Sequence, residues 1–407
     1  MDYIFTGVHR IDARGESKGI LGVMDNQLTY KISDGKKEKV ASMEVGSDYY
    51  VYPGFINSHD HLLGSYFPRV GEGPYLNWLP WDNDLKAAKI YQERANFTNY
   101  EVYFIGCLRQ LISGVTWVSD HIPHSVNERF ISHLPINVME EYTLAHEVSS
   151  YDLKWGDPKS EHDKAKEKGI PFVTHIEEGF DEEAKKGIDY LKEYGALDEY
   201  TVMVHGIALS DQDIKDIGQS GAHLVWCPTS NTFMFNQTAD VKSWLKNKVN
   251  VCLGTDSPMS GGQNLLEEIQ FANHIYEKMY GQKLDGRTVF NMITHNPAKA
   301  FRIPAGDLSE GAPANFVITR KVVDNPYENI LKLKLSDIAL VVVNGKPSYG
   351  DEKFAPLFKD LKLQHWKVTV ENEPKILAVR GSLKLLKKLK NTLGYAKYLP
   401  FLPVNTD

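Results

Sequence analysis

From residue 53 onward, short apolar runs alternate with longer stretches whose apolar positions recur every three or four residues. TNYEVYFIGCLRQLISG precedes TWVSDH, SEHDKAKEKG precedes IPFVTHIEEG, and DEEAKKGIDYLKEYG precedes YTVMVHGIAL. Further on, SDQDIKDIGQSG precedes HLVWCPTSN and DVKSWLKNK precedes VNVCLGTDSP. The longer stretches predict amphipathic helices and the short runs predict buried strands. A repeated helix and strand imply parallel strands with helical crossovers. Before residue 53 the pattern changes: YIFTGVHRID, GILGVMDNQLTYKISDG and VASMEVGS alternate in β fashion between Gly, Asp and Ser punctuation. After helical segments over 263–302, GDLSEGAPANFVITRK and IALVVVNGKPSYG return to β character. The expected organisation is a small β-sandwich domain in two parts, 1–52 and 305–375, around a barrel at 53–304, with a tail at 376–407.

Chemically loaded residues close strand after strand: His61, His121, His175, His205 and Asp256. That placement favours a (β/α)8 TIM-type barrel, whose catalytic face is built from the carboxyl ends of its strands. One part fits less well. Between Asp120 and Phe172 the sequence offers one strand, PINVMEEYTLAHE, and one helix near 158–168, where a regular barrel needs two units. An irregular third or fourth unit is therefore expected.

In PGFINSHDHLLG, His59 and His61 stand two apart and share one strand face. Such a pair suits a metal ion, although two matching side chains can also share a polar pocket. His175 in THIEEG, His205 in VMVHGIAL and Asp256 in VCLGTDSP tip the balance towards metal. Imidazoles and a carboxylate converging on one barrel mouth make an N/O site for zinc or ferrous iron.

PGFINSHDH, THIEEG, VHGIAL, CPTSN and GTDSP, in that order at strand ends, resemble the amidohydrolase superfamily. The resemblance is to its deaminase and chlorohydrolase branch, which acts on cytosine, guanine, adenosyl-homocysteine and triazines, and it spans residues 1 to about 350. It implies that His59, His61, His175 and Asp256 hold one divalent metal, zinc first and iron as the alternative, with Glu178 and His205 beside it. A bound divalent ion lowers the pKa of water from about 15.7 towards 7. Asp256 can then orient that water, Glu178 can shuttle a proton to the ring nitrogen and leaving group, and His205 can donate to the developing oxyanion. Binuclear relatives bridge their metals with a modified lysine on the fourth strand. Residues 135–150 hold no lysine, which favours one metal, while Glu140 and Glu141 keep a carboxylate bridge open.

Substrate contacts are less legible. Arg69 in FPRVGEG is a candidate anchor for an anionic or carbonyl group, and Trp78 and Trp81 in YLNWLPW are candidates to line or cover the pocket from a long βα loop. Aromatic rings suit a flat heterocycle, and packing of that loop suits them equally. His121 and His124 follow an early strand, and His146 closes YTLAHE; each has a substrate-facing and a surface reading. Trp226 stands where many relatives carry a histidine and is expected to shape the pocket wall.

The bulk figures exclude several classes. With 407 residues, 42% hydrophobic, 24% charged and a formal charge of -7, nothing points to nucleic acid. No basic leader with an apolar run and no membrane-length apolar stretch is present, so a cytoplasmic location is expected. Cys107, Cys227 and Cys252 are scattered, with no CxxC, and are read as buried thiols. The tail GSLKLLKKLKNTLGYAKYLPFLPV is basic and amphipathic. Packing against the barrel or a second subunit is expected of it ahead of membrane contact, and a homodimer is a family-level expectation. The leading functional expectation is an aminohydrolase that attacks an sp2 carbon of an amino-substituted nitrogen heterocycle and releases ammonia. A cyclic amide or imidazolone ring hydrolase is the alternative, and a non-catalytic barrel scaffold is the alternative of another class.

Overall fold

A computed structural model describes residues 2–31, 40–395 and 397–405. The β-type alternation before residue 53 becomes five strands: β1 (Tyr3–Asp12), β2 (Gly15–Met24), β3 (Gln27–Thr29), β4 (Ala41–Glu44) and β5 (Tyr49–Pro53). The run GILGVMDNQLT breaks into β2 and β3 because Asp25 and Asn26 take positive φ angles of 50° and 64°. That geometry makes a tight two-residue hairpin turn, which Asp and Asn tolerate. The ISDG that ends this run lies outside the described residues.

The barrel wall has eight strands. β6 (Phe55–Asp60), β7 (Val115–Asp120) and β8 (Asn137–Val138) form one parallel ladder. β9 (Thr143–Glu147), β10 (Phe172–Ile176), β11 (Thr201–His205), β12 (His223–Trp226) and β13 (Asn250–Leu253) form the second. An isolated bridge from Asp60 to Asp256 links the first strand to the chain just past the last. β9, β10, β11 and β12 are buried along their whole length, as strands covered on both faces must be.

PINVMEEYTLAHE is thus two strands, β8 and β9, with four residues and no helix between them. The expected irregularity falls here, because residues 139–142 are too few for a crossover. The long loop after β6 also departs from expectation, since it contains helices at Trp78–Ala87 and Ile90–Arg94. Asn77 caps the first by accepting from the Leu79 N–H, and Pro80 falls in the first turn, where its missing donor costs nothing. Elsewhere local signals agree with the helices: Thr98 and Glu101 form a reciprocal capping box for Asn99–Ile112, and Asn264 and Gly281 bound Leu265–Tyr280.

β14 (Phe316–Arg320) returns to the N-terminal sheet by pairing antiparallel with β5. β15 (Ile338–Val343), β16 (Lys346–Asp351), β17 (Trp366–Val370), β18 (Glu373–Leu377) and β19 (Val404–Asn405) extend it to eleven strands among the described residues. Its core is separate from that of the barrel and includes Phe5, Leu21, Phe316, Leu340 and Ile376. The tail helix Ser382–Asn391 buries Leu385, Leu386 and Leu389 in the main core. Such burial is worth about 1.5–3 kcal/mol per leucine. Lys388 reaches both Glu101 oxygens at 2.8 Å, so the basic face meets the barrel helix 99–112. No described helix is long and apolar enough to cross a membrane. Cys107, Cys227 and Cys252 are buried free thiols.

One buried ion pair ties the barrel together beneath the site. Asp60, at the end of β6, receives Arg109 from helix 99–112, and also Gln110 Nε2 at 2.9 Å and Thr255 Oγ1 at 2.7 Å. Both charged side chains are fully buried. Arg109→Met is expected to cost about 3–5 kcal/mol by leaving the Asp60 charge uncompensated, read as a lower denaturation midpoint. An unchanged midpoint would show that the remaining donors suffice.

Candidate metal and substrate site

The side chains that close the barrel strands meet at one point. His59 Nε2 lies 3.3 Å from His175 Nε2 and 3.8 Å from Asp256 Oδ1, and His61 Nε2 lies 3.6 Å from the same Oδ1. His59, His61 and His175 each offer a ring nitrogen within 4.8 Å of the others. A tetrahedral ion with ligands at about 2.0–2.1 Å requires ligand atoms roughly 3.3–3.4 Å apart. The observed separations of 3.3, 3.6 and 3.8 Å are close to that edge.

Tautomers and charge agree with metal binding. His175 Nδ1 lies 2.7 Å from the His146 carbonyl oxygen, which can only accept, so Nδ1 carries the proton and Nε2 turns its lone pair inward. Burial, and then the neighbouring imidazoles, hold His59 and His175 well below the usual histidine range, so both rings are neutral. Asp256 Oδ2 accepts from Ser230 Oγ at 2.6 Å and Ser260 Oγ at 2.5 Å, which fixes the carboxylate and leaves Oδ1 for the imidazoles. The donor set therefore fits a divalent ion of the zinc or iron type.

A second group adjoins the first: His175, Glu178 and His205 also come within 4.8 Å of one another. His205 Nδ1 donates to Asn231 Oδ1 at 2.9 Å, and its Nε2 lies 3.5 Å from Glu178 Oε1. Burial, with the carboxylates of Asp256 and Glu147 adding to it, pushes the Glu178 carboxyl well above its ordinary value, so it holds a proton more tightly than an exposed glutamate does. His205 and Asp256 hold positive φ angles of 75° and 54°, and Glu177 one of 48°. Non-glycine residues pay for that geometry, which aims side chains across the barrel mouth.

Gly254 permits the close approach of β13 to β6. A Cβ there would stand 2.8 Å from His59 Cβ and 2.9 Å from His59 N. Gly254→Ala is expected to cost about 1–3 kcal/mol of stability and to hasten metal loss to a chelator, because the atoms it strikes belong to His59, a candidate ligand. Metal retention equal to the parent's would count against that coupling.

Beside the imidazoles opens a cavity of about 520 Å³. His61, Trp78, Trp81, His146 and Trp155 line it, with Phe67, Tyr91 and Met259 adding apolar surface and Asp82, Arg94 and Asn99 polar surface. Trp78 Nε1 donates to Glu147 Oε2 at 2.5 Å and Trp81 Nε1 to the Val70 carbonyl at 3.0 Å, so both rings have fixed orientations. Burial, then nearby cationic groups, lowers His146 to about 3, and Glu147 is raised to about 7 by burial. His121 is buried with its ring centroid 4.3 Å from that of His175.

Several sequence-predicted residues lie away from this cavity. Arg69 does not line the cavity: its guanidinium donates to the Gly261 carbonyl at 2.9 Å and stacks on Phe233, bracing a loop. Trp226 is 1% exposed, lies in the core and donates to Thr238 Oγ1 at 2.7 Å, so it supports the wall from behind. Glu140 and Glu141 line a different cavity with Gly169, Ile170 and Pro171, at the amino ends of the strands, where they cannot bridge metals held at the carboxyl ends. His124 bonds the Tyr142 carbonyl at 2.9 Å and is also absent from the cavity wall. Sequence reasoning missed Glu147, Trp155, Asp82 and Arg94. It quoted CPTSN without roles for Ser230 and Asn231, whose position in that motif was the available signal.

Comparison with known proteins agrees with this architecture. Residues 160–347 match the amidohydrolase family model. A 5-methylthioadenosine/S-adenosylhomocysteine deaminase of Thermococcus sibiricus is 30% identical over 354 residues, covering 73% of this chain and 81% of that one. A 5'-deoxyadenosine deaminase of Methanocaldococcus jannaschii is 25% identical over 380 residues, covering 80% and 88%. Among solved structures, a mutant of the atrazine chlorohydrolase TrzN from Arthrobacter aurescens TC1, complexed with zinc and atraton, superposes with a TM-score of 0.72 at 17% identity, covering 88% of this chain and 98% of that one. With the barrel, the flanking sheet and the cluster of strand-end histidines in place, and a relative 30% identical over most of its length, the chain belongs to the amidohydrolase family.

Proposed function

We propose that the protein is a metal-dependent deaminase that replaces the amino group of a purine nucleoside or a related heterocycle with oxygen and releases ammonia. The observation that carries the reading is the placement of Glu178: a buried carboxyl with a raised pKa, 3.5 Å from His205 and beside the His59, His61, His175 and Asp256 cluster. A divalent ion bound by that cluster would supply an activated water near neutral pH. Asp256, held by Ser230 and Ser260, orients the attacking water and accepts its proton. Glu178 gives a proton to the ring nitrogen beside the attacked carbon, and a proton then passes to the departing amine. His205, fixed through Asn231, faces the oxygen that gains charge.

The deaminases of adenosine derivatives among the relatives support a nucleoside substrate. So do the tryptophans of the cavity, which suit stacking on a purine. Zinc in a structural relative supports zinc here. The reading carries a domain division at 1–52, 53–304, 305–375 and 376–407; the pairing of β5 with β14 supports joining the first and third parts, whereas β18 crosses residue 375 and β19 puts the end of the tail in the same sheet.

Ammonia release from 5'-deoxyadenosine and 5-methylthioadenosine by zinc-loaded protein is the test. Turnover of either would establish the reaction class. Turnover of neither, with ring opening of a cyclic amide instead, would replace the reading.

A further inference from the structure

Arg94 lines the cavity, is half-buried and has no carboxylate within ion-pair distance among the described residues. One terminal nitrogen donates to Asn99 Oδ1 at 2.5 Å and the other reaches the Phe97 carbonyl at 3.4 Å, both neutral acceptors. The cavity's one carboxylate, Asp82, already pairs with Lys86 at 2.5 Å. The neighbouring Glu93 is also committed elsewhere. It accepts from Tyr66 Oη at 2.7 Å, from Tyr395 Oη at 2.5 Å and from the Lys397 ammonium.

Glu93 therefore does not neutralise Arg94. Instead it pins the short helix Ile90–Arg94 to the C-terminal segment, and Lys397 also stacks its ammonium on Tyr66 at 4.6 Å. A guanidinium held from behind, partly withdrawn from water and facing the metal-side cavity without a counter-charge is arranged to receive an anion.

We propose that Arg94, positioned by the C-terminal segment through Glu93, is an anion-binding subsite, so that the substrate carries a carboxylate or phosphate as well as its amino-bearing ring. The proposal rests on the deaminase reading for the ring and on Arg94 alone for the anion. It makes Arg94 a specificity residue, and Glu93, Tyr395 and Lys397 positioning residues. Carboxylate and phosphate share the planar, forked recognition that arginine offers, and a series of tails separates them.

The experiment compares adenosine, its 5'-phosphate and its 5'-carboxylate as substrates of the zinc-loaded full chain, and titrates the same three compounds calorimetrically. An anionic compound is expected to exceed adenosine at least tenfold in kcat/KM, chiefly through KM, and in affinity. In Arg94→Gln that preference falls to near one, and Arg94→Lys restores part of it. Lys397→Met is expected to weaken the preference in the same direction, with kcat within twofold of the parent's. Equal kcat/KM and affinity for charged and neutral compounds in the parent would overturn the subsite. A preference that survives Arg94→Gln would overturn it as well. Absence of ammonia from all three, with tighter binding of an anion that Arg94→Gln abolishes, would sink the deaminase reading and leave the subsite standing.

Discussion

Replacing Glu178 with Gln is expected to lower kcat for deamination by roughly 10³- to 10⁴-fold while leaving bound metal at the parental level, since a positioned acid or base contributes up to about that much. The amide keeps the size and neutrality of the buried carboxyl but cannot give up a proton and take another. Because Glu178 works from its protonated form, the parent's rate declines on the alkaline side, where that proton is lost, and the residual rate of the variant lacks this decline. The substitution moves stability the opposite way from rate. The folded chain holds the Glu178 proton more tightly than the unfolded chain does, so folding loses free energy as pH rises above the ordinary value of 4.5 towards the raised one. The Gln variant escapes that loss and is expected to be the more stable protein near pH 7. Ammonia release and denaturation midpoints measured between pH 5 and 9 check both halves, on the scale set by ordinary carboxylate and histidine values. A rate within tenfold of the parent's would remove Glu178 from the proton path.

The readable part of the site was the part that sits on strands. His59, His61, His175, His205 and Asp256 occupy strand ends, and a barrel sends strand ends to one mouth, so position along the chain translated directly into position in space. Arg69 and Arg94 show where this stops. Both follow β6 in one long connection, yet one braces Gly261 while the other faces the cavity, because their directions depend on partners distant in sequence. Trp226 was legible as a packing residue behind the wall but not as to its partner: its indole hydrogen finds Thr238 and the ring stays in the core. The division of PINVMEEYTLAHE into β8 and β9 was hidden because no Gly or Pro marks the break: Glu140 and Glu141 fall in it, yet two polar residues inside a β-type run also fit a single strand with one wet stretch.

Elemental analysis of protein purified without chelator is expected to find about one divalent ion per chain, and very little in a His59→Ala, His61→Ala double variant. The expectation follows from the ligand edges: His59 lies 3.3 Å from His175 and 3.8 Å from Asp256, so losing it with His61 leaves only His175 and Asp256 as donors. Two donors do not hold an ion that structural and catalytic sites bind with three or four. The double variant should therefore lose deamination with its metal, and should not regain it on reloading with zinc. The adjoining His175, Glu178 and His205 group sets the alternative outcome. If it also binds metal, the parent carries two ions and the variant keeps one, with Glu178 acting as a ligand. That would transfer proton shuttling to another carboxyl, and Glu147, raised to about 7 by burial and near enough to influence Glu178, is the group placed to receive it. A parent that takes up no ion even after reloading would end the metal reading, because the imidazoles would then be packed only against one another.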